Sequence, residues 1–198
     1  MTGTHREIGR RRIASGEEVR TVLIRRRYDA PIQDVWEACT DPERLSRWFL
    51  PVTGDLRVGG RFSLQGNAGG EILRCDPPRL LTVTWVYGEL PADEVELRLS
   101  DGGQGATVLE LEPALAARTL EMDGRLVDRF LNDPQTGLWG VPTGWEVPLA
   151  HALPRYLRGE LPDAPAVEWY RPTPEDLELG DRCGQAWAAV VEAADRGG

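Results

Sequence analysis

The sequence predicts an α+β fold in which a curved antiparallel sheet wraps around one long helix late in the chain. Three patterns support this. A β-rich run at 19–29 leads directly into two short amphipathic helices. Four or five stretches with apolar residues at alternate positions follow between 61 and 112. Helical periodicity then returns at 143–158.

The elements can be justified in order. Residues 1–18 are polar and basic (His5, Arg6, Arg10, Arg11, Arg12) and read as a flexible arm. The domain proper is expected over 19–160. Its first strand alternates so that Val22, Ile24, Arg26 and Tyr28 share a face. Pro31 suits a first helical turn, where its missing N–H would be unpaired anyway. Ile32, Val35, Trp36 and Cys39 then form one apolar stripe. Thr40 or Asp41 can cap a second helix, with Pro42 at its first position and Glu43 near the positive end of its dipole. Leu45, Trp48 and Phe49 continue the same spacing.

From Gly54 the pattern changes to strands, expected at 61–65, 71–75, 80–87, 94–99 and 106–112 in meander order. Gly66-Asn67-Ala68-Gly69-Gly70 and Asp101-Gly102-Gly103-Gln104-Gly105 supply turns between them. Leu81, Val83, Trp85 and Tyr87 share one face; Val95, Leu97, Leu99, Leu109 and Leu111 also point inward. Residues 120–131 fit strand or helix. The late helix places Trp145, Leu149, Ala152, Leu153 and Tyr156 in one stripe, with a kink expected near Pro154. Residues 161–198 read as a Pro-rich linker plus an extra helix opened by Thr173-Pro174-Glu175-Asp176. The apolar side of that helix (Cys183, Trp187, Val190, Val191, Ala194) must pack on the domain or on a second subunit, giving a homodimer. Gly180 and Gly184 weaken it.

The local words add to this order. Residues 26–62 run from Arg-Arg-Tyr-Asp-Ala-Pro through Thr40-Asp41-Pro42-Glu43-Arg44-Leu45-Ser46-Arg47-Trp48-Phe49 to Gly59-Gly60-Arg61-Phe62. They resemble the START-like (SRPBCC) superfamily, in the branch related to the activator of the heat-shock chaperone ATPase. Asp76-Pro77-Pro78-Arg79-Leu80, Thr84-Trp85 and Gly144-Trp145-Glu146 extend the resemblance over roughly residues 20–158. It implies a helix-grip fold and a cavity between sheet and helix, which binds hydrophobic small molecules in many relatives. A minority of the superfamily are aromatases, cyclases or hydrolases, and eukaryotic relatives of this branch are co-chaperones. Fold alone does not choose among these.

Composition narrows the choice. The 198 residues suit one domain with appendages, and 41% hydrophobic with 28% charged residues excludes wholesale disorder. A net charge of -9 argues against non-specific nucleic-acid binding. Every Lys/Arg position is arginine, which removes Schiff-base and P-loop lysines. The three cysteines form no CxxC pair, and no apolar run reaches the length of a membrane span. A cytoplasmic protein without cofactor or metal is expected, with neither nucleic acid nor membrane as partner.

The candidate ligand site combines Val83, Trp85, Tyr87, Leu97, Leu99, Leu109, Trp145, Leu149 and Tyr156, with Trp48 and Phe49 at one end, around a hydrophobic small molecule. Packed differently, the same side chains would simply fill a core. Arg26 and Glu71 are expected on inward faces. They either bridge strands structurally or bind a ligand carboxylate or phenolate, with Glu71 orienting Arg26. No catalytic residue is assigned: His5 lies in the arm and His151 falls opposite the Trp145/Leu149 stripe, toward solvent. A cyclase or dehydratase would need Arg26, Glu71 and Tyr87 to converge in a pocket. A chaperone partner would need an exposed patch outside it.

Overall fold

The structure is a computed structural model that describes residues 3–122, 124–169 and 171–197. Its main feature is an eight-stranded antiparallel sheet, ordered β1-β2-β8-β7-β6-β5-β4-β3. The strands are β1 (His5–Arg12), β2 (Glu18–Tyr28), β3 (Val52–Gly54), β4 (Arg61–Leu64), β5 (Gly69–Asp76), β6 (Leu80–Trp85), β7 (Asp93–Gly103) and β8 (Ala106–Leu115). Strands β4 to β8 form the expected meander, β3 adds to its edge, and β2 closes beside β8, far from β3, the next strand in sequence. Between β2 and β3 lie α1 (Ile32–Thr40) and α2 (Pro42–Trp48). Asp41 caps α2: its side chain accepts the Arg44 N–H at 2.9 Å, with Pro42 next in line.

The supposed arm is instead an edge strand. β1 pairs with β2 from His5↔Arg25 to Arg12↔Glu18. Its arginines made it look like a tail, but two of them have acidic partners. Arg6 forms two bonds to Glu146, at 2.7 and 2.6 Å, and Arg11 binds Glu94 at 2.8 Å. The 120–131 stretch holds two short strands paired antiparallel, β9 (Thr119–Met122) and β10 (Arg125–Asp128).

The gripped helix runs through α3 (Val141–Val147), a π-helical turn (Pro148–Ala152) and α4 (Leu153–Leu157). The expected break therefore comes as a π turn just ahead of Pro154. The Leu153 N–H reaches back five residues to the Pro148 carbonyl. Leu149 and Leu153 are buried against the sheet, among Ile24, Val83, Leu97, Leu99 and Leu109.

After a short helix α5 (Ala166–Trp169), the last helix α6 (Pro174–Gly197) folds back on the domain. Thr173 and Asp176 cap it reciprocally: the Thr173 N–H donates to Asp176 at 2.8 Å, and the Asp176 N–H donates to the Thr173 hydroxyl at 3.2 Å. Cys183, Trp187 and Val191 are buried, and α6 packs on α3 and β1. Its apolar side is thus covered within the chain. The Trp187 ring N–H donates to Glu146 at 2.8 Å, so one buried carboxylate joins β1, α3 and α6. Gly180 and Gly184 are contact points: a Cβ there would lie 2.2 Å from Trp139 and 2.2 Å from Asn132, respectively. His151 also differs from expectation. Its Nδ1 lies 2.5 Å from Oδ1 of buried Asp176, tying the π turn to the start of α6. Among the described residues no helix is long and apolar enough to cross a membrane.

Candidate functional site

A cavity of about 440 Å³ lies between the sheet and the gripped helix. The sheet contributes Phe62, Ile72, Val83, Trp85, Val95, Leu97 and Leu111; α1 and α2 contribute Cys39, Leu45 and Trp48; the helix contributes Trp145 and Leu149. Leu56, Arg57 and Val58, in the loop before β4, stand at its mouth. Alternation along each strand puts these side chains on one face, and the curvature of the sheet turns that face into a concave wall.

Aromatic rings run across this wall. Phe62 and Trp85 have centroids 6.2 Å apart, and Trp85 meets Trp145 edge-on at 4.6 Å. Trp145 stacks with Phe49 at 5.9 Å, and Phe49 lies 5.7 Å from Trp48. The Trp48 ring N–H donates to the Ala38 carbonyl at 2.8 Å, anchoring α2 to α1. Two thiols also face the cavity. Burial pushes Cys39 up to about 12, with only a smaller opposing pull from Arg44, and raises Cys75 as well. Both are held as neutral thiols at physiological pH, a poor state for a nucleophile.

Of the expected site residues, Trp48, Phe49, Val83, Trp85, Leu97, Trp145 and Leu149 line the cavity. Leu99 and Leu109, expected on the cavity wall, instead lie in the adjoining core, fully packed away from it. Four others lie elsewhere. Tyr87 follows the end of β6 and is 55% exposed. Tyr156 is turned toward α2: its hydroxyl accepts the Arg44 Nε–H at 3.0 Å, and the Arg44 and Arg47 guanidiniums stack on its ring. Arg26, on β2, donates to the Thr4 hydroxyl and does not line the cavity.

Glu71 is on the outer face because of a β-bulge. The pairing runs Ile72↔Val83 and then Arg74↔Thr82, so Leu73 is an extra residue in β5. Ile72 and Cys75 both face the cavity as a result, and Glu71, beside Ile72, faces away. Three strands separate β5 from β2, so Arg26 and Glu71 do not pair. The set Arg26, Glu71 and Tyr87 does not converge. Among the described residues no group of His, Cys, Asp and Glu could hold a metal ion.

Sequence reasoning missed Phe62, Ile72, Val95, Leu111 and the 56–58 loop as lining residues. Phe62 and Leu64 alternate within Arg61-Phe62-Ser63-Leu64, a signal available from the pattern. Arg57 sits in a non-repetitive loop and gave none.

Residues 29–151 match the family model for Activator of Hsp90 ATPase homolog 1-like protein. The chain belongs to that family. Among solved structures of similar proteins, CalU16 from Micromonospora echinospora is 45% identical. Its crystal structure matches over 96% of this chain and 98% of CalU16, with a TM-score of 0.74. The solution structure of CalU16 gives 0.76 over 97% of each chain. The BPP1335 protein of Bordetella parapertussis is 26% identical over 85% of this chain and 84% of its own, at a TM-score of 0.55. DynU16, from the dynemicin biosynthetic locus, is 24% identical over 72% of this chain and 49% of its own, at 0.54, and shows the fold alone. A search of curated proteins gave no match. The Activator of Hsp90 ATPase homolog 1-like region ends within the π turn, so β1 and α6 lie outside it, whereas CalU16 spans them.

Proposed function

We propose that this is a cytoplasmic protein that binds a hydrophobic, ring-containing small molecule in the cavity, without cofactor or catalysis. The cavity itself carries the reading: about 440 Å³, walled by aromatic and aliphatic side chains, within the range of small-ligand sites. Thr40, Arg57 and two neutral thiols line it, and among the described residues no carboxylate or imidazole does. A general acid–base pair for cyclisation or dehydration is therefore lacking among the lining residues.

Native mass spectrometry of freshly purified protein tests this reading. The expected outcome is a retained mass of a few hundred daltons (a cavity of this size fits roughly that), released by denaturation. Refilling of the emptied protein by a neutral aromatic probe should quench tryptophan emission through Trp85 and Trp145. No retained mass, together with no response to any such probe, would overturn it.

The family description supports a second reading, stimulation of a chaperone ATPase through a surface outside the cavity. Leu126 on β10, 70% exposed, is one apolar contact available for it. Steady-state ATPase assays of an Hsp90-type chaperone decide it: no stimulation by saturating protein removes that reading and leaves the cavity reading intact.

A further inference from the structure

We infer that the cavity selects an aromatic ligand bearing one anionic group, the rings lying on the aromatic wall and the anion on Arg57. This rests on the cavity reading above and adds the chemical class. The wall Phe62–Trp85–Trp145–Phe49, with successive centroids 4.6 to 6.2 Å apart, offers ring faces and edges together. Offset and edge contacts with another ring add to area burial, and an alkyl chain gains no such term.

Arg57 is the cationic side chain among the lining residues, and it stands at the mouth with 79% of its side chain exposed. Leu56 and Val58 flank it, giving the mouth an apolar rim around the Arg57–Asp55 ion pair. The rim is held in place. Asp55 N–H donates to the Arg61 carbonyl at 2.9 Å, Gly59 N–H to the Ile72 carbonyl at 2.8 Å, and Ile72 N–H to the Gly60 carbonyl at 3.0 Å.

The guanidinium is oriented as well. Its Nε donates to both Asp55 carboxylate oxygens, at 2.9 and 2.8 Å, and its terminal nitrogens make no hydrogen bond among the described residues. A carboxylate on Nε leaves the two-nitrogen end as a fork that fits a second carboxylate or a sulfonate. Among the described residues no acidic side chain lines the cavity, and the carboxylate beside Arg57, that of Asp55, is held on its Nε side. On a chain of net charge -9 a local cation is what an anionic ligand requires.

The test compares two dyes with one ring system, anilinonaphthalene sulfonate and its neutral parent phenylnaphthylamine, titrated into the full chain by dye fluorescence. Both should bind. Arg57→Gln should weaken the sulfonate by about two- to fivefold, the range for a solvent-exposed charge contact, and leave the neutral dye unchanged. Arg57→Lys, which keeps charge but loses the fork, should fall between. An equal effect on both dyes, or none on either, overturns the anion site while the cavity reading stands. Failure of the neutral dye to bind overturns the cavity reading and this inference with it. Displacement of the sulfonate dye by naphthoate should exceed that by dodecanoate; the reverse order overturns the aromatic half.

Discussion

The π turn takes from the Leu149 carbonyl the donor that an α-helix would give it. In an α-helix the Leu153 N–H would serve it, but that N–H goes to Pro148, and the next candidate, Pro154, has none. The Tyr28 hydroxyl donates to it at 2.7 Å from the opposite side of the core. Burial, opposed in part by Arg26, raises the Tyr28 phenol above its ordinary range and keeps it the proton donor. Tyr28→Phe would leave a buried carbonyl unpaired. It should lower unfolding free energy by about 1–3 kcal/mol, read as a lower urea midpoint at unchanged slope. Neutral-dye binding should also weaken, since Leu149 lines the cavity from the same turn. An unchanged midpoint would show that solvent reaches the carbonyl. Alternation placed Tyr28 on the inner face, but nothing local announced its partner, because the need for a donor arises 121 residues away.

Elements were legible where their signal is local. The stripe of α1, the Asp41-Pro42 start of α2, the alternating runs of β4 to β8 and the Thr173 cap of α6 each follow from neighbouring residues. β1 was not, because its identity depends on backbone pairing with β2 and on acids at Glu94 and Glu146. The bulge at Leu73 was also hidden: one inserted residue leaves the alternation intact on either side while exchanging the faces. The aromatic wall survived this, since it lies on β4, β6, α2 and α3; Glu71 did not.

Helical glycines show the same dependence on context. Gly144, exposed in α3, has open space where a Cβ would stand, whereas the Cβ of an alanine at Gly180 would meet the Trp139 ring. Gly144→Ala should stabilise by about 0.5–1 kcal/mol through helix propensity. Gly180→Ala should destabilise by about 1–3 kcal/mol, because the rigid ring must shift. Thermal or urea unfolding of both variants gives the signs; two stabilising results would mean that Trp139 moves freely and that α6 is docked more loosely than its buried Trp187 indicates.

Across the whole molecule, charge pairs join both neighbouring and distant segments, and among the described residues five carboxylates, Glu160 beside Arg158 included, sit below their ordinary range. Asp133 is drawn down to about 2 by Arg125, the Gln135 N–H and the Thr136 hydroxyl. Burial alone would raise Asp176, but Thr173 and His151 outweigh it, and the net shift is downward. Burial is likewise overcome at Glu110 by Arg25 and Arg98, while Arg118 and Arg20 lower Asp195. Each group stays ionised in the fold at a pH where its unfolded counterpart, near pH ~4, has taken up a proton. The unfolded chain then binds more protons, so this stability is fully present above about pH 5 and is lost as pH falls toward about 2. Urea midpoints measured from neutral pH downward should therefore decline most steeply over that interval. Asp176→Asn should start with a lower midpoint at neutral pH, since it unties His151 from the head of α6, and should converge on the parent in acid. A constant offset at every pH would assign Asp176 to packing, leaving the docking of α6 to contacts further along the helix such as Trp187 with Glu146.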